Sequence, residues 1–319
     1  MNFQDLKKIE KPDFYLDVAF RKANEAASKV KLKQTKDKER KIKEIELQKI
    51  DTAKQVLVNY LEGILKAYPS FRHLDEFYLE LVKCTLDYPK LKKSLGAVNW
   101  CSKKTTLFFR KYNRLLRKST KIKEIHDIKK AYYGRVSSLF KQIEDNLSYL
   151  EEARRVMRNY PTLKTSMFTV CITGFPNVGK TTLLSKLTSS QPEIDSYPFT
   201  TKTLNVGYLK EGYKKIQLVD TPGTLNRFNK MNNIEKQAYL AIEHLADAII
   251  YVFDLTEAYP IADQTRLFEK LKDFNKNTIV FVSKKDITDK KMLDKFKQSY
   301  KMLTDIEELK QQLFGLIQE

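Results

Sequence analysis

The sequence predicts two fold classes in tandem. An all-α antiparallel helical bundle occupies residues 1–165, and an α/β domain with a mostly parallel sheet occupies residues 166–319. Three observations predict this. The first half carries long stretches with apolar residues at three- and four-residue steps, punctuated by Pro12, Pro69, Pro89 and Pro161. The second half alternates short β-rich runs with helical ones, the order that builds a parallel sheet with helices on both faces. The charge divides at the same place: 38 Lys+Arg against 21 Asp+Glu up to residue 165, and 21 against 19 beyond it.

Within the first half, a helix is predicted from near Asp13, read as an N-cap after Pro12. A rod over about residues 36–68 sets Ile42, Ile45, Ala53, Val56, Tyr60, Ile64 and Leu65 near one face. A shorter helix follows over about 74–86, then one over 90–118. A last long one over 120–159 carries Ile125, Ile128, Tyr132, Leu139, Ile143, Leu150 and Val156. Long helices joined by short Pro-marked turns pack antiparallel.

The 90–118 helix is the most informative of these. At ~100° per residue, Leu91, Val98, Thr105, Phe109, Tyr112 and Leu116 line one side. Lys92, Lys103, Arg110, Arg114 and Arg117 fall opposite, with Trp100 and Leu107 among them. A basic face of this kind suits a polyanion such as RNA. Trp100 has two readings: a ring that stacks on a base, or one packed on another helix or on the second domain. The charge itself also has a plainer reading as a solvated lysine-rich surface.

Composition narrows the function classes. Cys84, Cys101 and Cys171 form no CxxC pair, which fits a reducing compartment, and a cytoplasmic location is expected. The N-terminus lacks the apolar core of a signal peptide. No apolar run approaches the ~18 residues of a membrane span, so no membrane partner is expected. His73, His126 and His244 are too dispersed for a metal cluster or a triad.

In the second half, strands are predicted at 167–175, 205–210, 215–220, 248–254 and 278–286, with helices near 180–188, 234–246, 261–274 and 305–317. The second and third strands lie close around Lys210-Glu211-Gly212, which predicts a hairpin and one antiparallel strand. Directly after the first strand, Gly174-Phe-Pro-Asn-Val-Gly179-Lys180-Thr181 matches GxxxxGK[ST] and opens a helix. That context marks a P-loop. Its residues Gly174, Pro176, Asn177, Val178, Gly179, Lys180, Thr181 and Thr182 would cradle phosphates. Lys180 would reach the β and γ phosphates and the Thr181 hydroxyl would bind Mg²⁺.

Asp220-Thr221-Pro222-Gly223 closes the third strand. Asp220 would hold Mg²⁺ through water, and the Gly223 N–H would touch the γ-phosphate. Thr200 and Thr201, in Tyr197-Pro-Phe-Thr-Thr201, would sense Mg²⁺ and the γ-phosphate. Ser283-Lys284-Lys285-Asp286 stands where GTPases carry NKxD. There the Asp286 carboxylate would accept from guanine N1–H and N2–H₂, and the stem of Lys284 would lie over the base. The ordered set predicts a P-loop GTPase with GTP/GDP and Mg²⁺ as its ligands. The residue after Gly223 is Thr224, where Ras-like enzymes place a water-orienting Gln, so slow hydrolysis is expected. Gln237 and Gln264 lie further along with no geometric reason to promote either. The segments Ser196–Asn205 and Thr224–Gln237 are the expected switches.

GFPNVGKTTLL, YPFTTKTLNVG, DTPG and a KxD-type box resemble the Obg-related GTPases. PDFYLDVAFRKANEAASKVK followed by a basic helical bundle resembles their nucleolar GTP-binding (Nog) branch, in its compact archaeal form. The resemblance implies a GTPase that binds ribosomal RNA and pre-ribosomal particles and assists large-subunit maturation, with ribosomal proteins as further partners and a monomer when free. It also implies that Asn177 matches an Asn that helps hold K⁺ in related GTPases; the other reading is that Asn177 only shapes the loop. Ser283 departs from the family's usual Asn, and the fifth base-binding box is sought in Lys301–Asp305. Two alternatives stay open: a tRNA- or translation-associated GTPase, and an RNA-binding placeholder whose G domain barely turns over.

Overall fold

The structure, a computed structural model, describes residues 3–29, 38–188, 204–222, 233–256 and 259–317. The chain divides into two compact units. One comprises Gln4–His73 and Leu86–Arg158; the other comprises the N-terminal residues to Phe3, Leu74–Thr85 and Asn159–Glu319.

The first unit is the helical bundle. It contains α1 (Pro12–Ser28), α2 (Lys38–Ala67), α4 (Tyr88–Lys118), α5 (Ile122–Gln142) and α6 (Glu144–Met157). Pro12 occupies the first turn of α1, where its missing N–H costs nothing. The N-cap is therefore Lys11, and Asp13 lies inside the first turn. Asp87 caps α4 by accepting from Lys90 N at 3.0 Å. The single long helix expected over 120–159 is broken at Ile143. There the backbone leaves the helical basin (φ −102°, ψ 10°), its N–H bonds to Phe140 O, and the Ile143 side chain is buried. The segment before α1 is fastened to α6, where Glu151 accepts from Ile9 N at 2.9 Å and from Arg154 at 2.7 and 2.8 Å.

The second unit holds a six-stranded sheet. Its strands are β1 (Thr169–Thr173), β2 (Asn205–Glu211), β3 (Lys214–Asp220), β4 (Ala248–Asp254), β5 (Asn277–Ser283) and β6 (Met302–Leu303), ordered β2-β3-β1-β4-β5-β6. All pairs are parallel except β2–β3, the predicted hairpin. β4 is buried along its whole length, as a central strand covered on both faces must be.

On one face, Val170, Ile172, Ile250 and Val252 pack with Leu183 and Leu184 of α7 (Lys180–Leu187) and with Leu309 and Leu313 of α11 (Ile306–Leu316). On the other, Tyr251 and Phe253 meet Phe268 of α9 (Ile261–Lys272), Phe296 of α10 (Lys290–Ser299) and Tyr300. Neither α10 nor the two-residue β6 was among the predicted elements.

The 165/166 boundary differs from the compact units. Helix α3 (Glu76–Thr85), expected within the bundle, packs on α8 (Asn233–His244) in the sheet-bearing unit. The Tyr78 hydroxyl, buried with its ring, accepts from Leu163 N at 2.9 Å and donates to Pro161 O at 2.9 Å. That tie keeps α3 and the segment leading to β1 together.

Candidate functional site

The P-loop runs from the end of β1 to the start of α7, and its backbone explains its glycines. Gly174 has φ +143°, and a Cβ there would stand 2.5 Å from Val252 O. Gly179, the N-cap of α7, has φ +93°, and Asn177 also adopts a positive φ of 60°. Positive-φ turns of this kind, ahead of the N-terminus of α7, suit a loop whose N–H groups receive phosphate oxygens. Lys180 is buried and donates from Nζ to Phe175 O at 2.6 Å. Burial pulls its pKa down, and the nearby Asp220 carboxylate opposes that shift.

The two side chains expected to hold Mg²⁺ lie together. Thr181 Oγ1 donates to Asp220 Oδ2 at 2.6 Å. Asn205, directly opposite Asp220 across the hairpin, donates to the same oxygen at 3.2 Å. Asp220 Oδ1 is buried with no hydrogen-bond partner. A buried, unpaired carboxylate oxygen beside a threonine hydroxyl fits a hard divalent cation or one of its waters. Thr200, Thr201, Gly223 and Thr224 lie outside the described residues, as does most of each expected switch segment.

At the base end, a cavity of about 560 Å³ is lined by Gly179, Thr182, Lys186, Ser283, Lys284, Lys285 and Asp286 from one side, and by Thr304, Asp305 and Ile306 from the other. Thr304 and Asp305 fall in the stretch where the fifth box was sought. Ser283 Oγ lies 2.7 Å from Val178 O in the P-loop and 3.1 Å from Phe253 O at the end of β4, so one hydroxyl links three segments. Lys284, at φ +51°, places Nζ 2.6 Å from Asp254 Oδ2. Asp254 is fully buried and also accepts from Thr256 N and Oγ1, at 2.9 and 2.6 Å. Burial alone would raise its pKa; hydrogen bonds from Lys284 and Thr256 outweigh that and hold it below the ordinary carboxylate value.

Two residues the sequence reading missed therefore shape the site, Asn205 and Asp254. Asn205 was readable from the hairpin register, because the two-residue turn at Gly212-Tyr213 fixes its pairing with Asp220. Gln264 is excluded as a water-orienting group. It is buried and clasps the loop after β4, accepting from Asp254 N and donating to Asp254 O and Tyr259 O.

The profile of the "NOG1 N-terminal helical domain" matches residues 3–163, and that of the "50S ribosome-binding GTPase" matches residues 169–285. The chain belongs to the NOG1 family of GTPases. The uncharacterized protein MJ1408 of Methanocaldococcus jannaschii is 36% identical over 291 residues, 90% of this chain and 81% of that protein. Nucleolar GTP-binding protein 1 of Saccharomyces cerevisiae is 33% identical over 259 residues, and that of Drosophila melanogaster 30% over 291. The chain spans 40% and 44% of the lengths of those two.

In this NOG1-family chain the basic face of α4 has the orientation read from its periodicity. Leu91, Val98, Thr105, Tyr112 and Leu116 are buried, while Lys92, Lys103, Arg110, Arg114 and Arg117 are exposed. Phe109 is only half-buried, under Lys54 Nζ at 4.8 Å from its ring. Trp100 is 39% exposed and Leu107 50%, so the ring is no ordinary core residue. Two of the bases also have local partners: Lys92 Nζ lies 4.3 Å from the Tyr88 ring, and Arg117 Nε donates to Asn113 at 3.0 Å.

Proposed function

We propose that this chain is a slow, Mg²⁺-dependent GTPase that acts in assembly of the large ribosomal subunit, binding ribosomal RNA through its helical bundle. The observation that carries the nucleotide half is the joint geometry of the P-loop, the Thr181–Asp220 pair and the cavity flanked by Asp286. Ribosomal context rests on the family, whose GTPase part is described as ribosome-binding. RNA binding rests on the exposed basic face of α4, with the part-exposed Trp100 beside its bases.

In this reading Lys180 exchanges the Phe175 carbonyl for β- and γ-phosphate oxygens, and the N–H groups of the P-loop surround them. Thr181 and Asp220 would hold Mg²⁺, which supplies charge neutralisation on the phosphates. Thr201, Gly223 and Thr224 would complete the γ-phosphate end, and Thr200 would help. Thr224 is a short side chain for orienting water, hence the slow intrinsic rate. Asn177 would be the residue that holds K⁺, whose charge would assist hydrolysis; exchange of K⁺ for Na⁺ should then slow turnover in the parent and leave Asn177→Ala unchanged. The free protein is monomeric, ribosomal proteins are further partners, and the location is cytoplasmic.

Asp286 provides the test of base selectivity. Asp286→Asn should lower GDP affinity at least tenfold, since a charged hydrogen bond is worth ~1.5–3 kcal/mol, and should admit xanthosine nucleotides. Equal affinity of the unmutated protein for ADP and GDP would overturn the nucleotide assignment. For RNA, Arg110, Arg114 and Arg117 changed together to Glu should weaken binding of large-subunit ribosomal RNA. Trp100→Ala should cost ~1–3 kcal/mol of binding with no fall in melting temperature; a fall with RNA affinity intact would assign the ring to packing.

A further inference from the structure

We propose that the GTPase unit carries a second RNA-backbone surface, formed by the loop after the guanine box and by α10, next to the nucleotide cavity. The proposal rests on the ribosomal reading above but on none of the residues of α4.

The first observation is where the charge of this unit lies. Residues 284–301 hold seven lysines and three aspartates, a net of +4. The rest of residues 166–319 holds 14 Lys+Arg against 16 Asp+Glu. One 18-residue run thus contains the whole positive excess of this half. Segregation of that kind is the electrostatic footprint of a polyanion site rather than of a uniformly solvated surface.

The second observation is what the structure does with the run. Asp289 caps α10 by accepting from Lys291 N at 3.0 Å. Phe296 is the one buried side chain of the helix, with Met292 and Leu293 half-buried beside it, and packs on Phe253 and Tyr300. One anchored side leaves the remainder of the helix facing solvent. Lys285, Lys290, Lys291, Lys295, Lys297 and Lys301 are all exposed, and none forms an ion pair among the described residues. By contrast Lys284, the first lysine of the run, and Lys272 and Lys310 elsewhere in this unit each have a carboxylate within 2.7 Å. The aspartates of the run do not offset these lysines directly: Asp286 faces the base cavity, Asp289 is a cap, and only exposed Asp294 remains.

Chemistry selects the occupant. The face exposes no aromatic ring, and Ile287 is its single large exposed apolar side chain. A lysine surface without rings meets phosphates as point charges and does not stack bases. Structured RNA presents phosphates at high density and releases counterions on contact, which an acidic peptide does far less. The run also begins at the residues that line the nucleotide cavity, Lys284, Lys285 and Asp286. RNA held on α10 would restrain that loop and slow nucleotide release.

The test uses the full chain with Lys290, Lys291, Lys295 and Lys297 all changed to Gln, beside the unmutated protein and the Arg110/Arg114/Arg117→Glu variant. Affinity for a large-subunit ribosomal RNA transcript is measured from 50 to about 300 mM KCl, and melting temperature and GDP affinity report folding. The expected result is unchanged melting and GDP affinity, at least tenfold weaker RNA binding, and a salt slope reduced by about 0.7–0.9 per lysine removed. RNA affinity and slope equal to the parent's, with the α4 variant impaired, would overturn this inference and leave the bundle reading intact. An unmutated protein that ignores RNA at every salt would overturn both. Loss confined to the association rate of GTP would assign the lysines to nucleotide steering, and equal loss of polyglutamate binding would assign the face to an acidic protein; either result overturns the RNA assignment.

Discussion

Ser283→Ala tests whether the Ser283 hydroxyl braces the P-loop. The Ser283 hydroxyl has a single proton and stands 2.7 Å from Val178 O and 3.1 Å from Phe253 O. Val178 is fully buried, so its carbonyl has little recourse to water. Losing a neutral hydrogen bond costs ~0.5–1.5 kcal/mol, and stranding a buried acceptor raises this to ~1–3 kcal/mol. Part of that loss is recovered by relaxation of the loop, so about 1–2 kcal/mol falls on the P-loop conformation that receives phosphate. At 1.4 kcal/mol per decade, GDP and GTP affinity should drop about five- to thirtyfold together. Guanine selectivity should not change, because Asp286 is untouched. Ser283→Thr keeps the hydroxyl and should bind within about twofold of the parent by the same reasoning. Fluorescent-nucleotide titration at fixed Mg²⁺ reads all three proteins. A folded Ser283→Ala variant with unaltered GDP affinity would refute the brace.

Two further changes probe the backbone and the bundle. Gly174→Ala places a Cβ 2.5 Å from Val252 O at φ +143°, and should abolish nucleotide binding, whereas Gly134→Ala, with open space around it in α5, should stabilise by ~0.5–1 kcal/mol; thermal melts and GDP titration separate the two. Glu151 has its pKa lowered to about 2: burial pushes it up, and hydrogen bonds from Arg154, Ile9 N and Arg155 more than reverse that. Because the folded value lies below the unfolded one, this contribution is full above about pH 4.5 and is lost as pH falls toward 2. Glu151→Gln should flatten that acid limb in a pH series of urea melts.

What could be read from the sequence follows from how local each determinant is. The P-loop was legible because its glycines answer to local backbone angles, and its spacing is set by the turn itself. The outward face of α4 was legible because a long helix fixes its side chains by rotation alone. The β2–β3 register, and with it Asn205 against Asp220, was implicit in the turn length. The break at Ile143 was not legible: no proline or glycine marks it, and it serves burial of that side chain in a tertiary core. Helix α10 was legible but passed over: Met292, Leu293 and Phe296 share one side of a ten-residue, otherwise polar run, and they are its only buried or half-buried side chains. The Lys284–Asp254 pair joins residues thirty apart, at the end of β4 and just past the end of its neighbour β5, and depends on the strand order, which periodicity does not supply.

The assignment of α3 was the largest shift, and it carries a prediction of its own. Between Pro161 and Thr169 the chain is held at several backbone groups. Tyr78 OH binds Leu163 N and Pro161 O, Gln217 Oε1 accepts from Lys164 N at 2.9 Å, and Asp247 Oδ2 accepts from Thr169 N at 2.7 Å. Asp247 N in turn donates to Thr169 O at 2.8 Å. These bonds fix the start of β1 five residues before Gly174, so the P-loop inherits its position from a helix far upstream in sequence. Tyr78→Phe removes the hydroxyl and leaves the ring, which packs on Phe3 and Phe77. A buried Leu163 N–H is then stranded, at ~1–3 kcal/mol, and the sheet-bearing unit should unfold at lower denaturant. Bound GDP should restore part of the loss, since ligand stabilises only the folded unit. Urea melts that follow release of a fluorescent GDP would report this unit specifically. An unchanged midpoint for Tyr78→Phe would mean that the connector is held without α3.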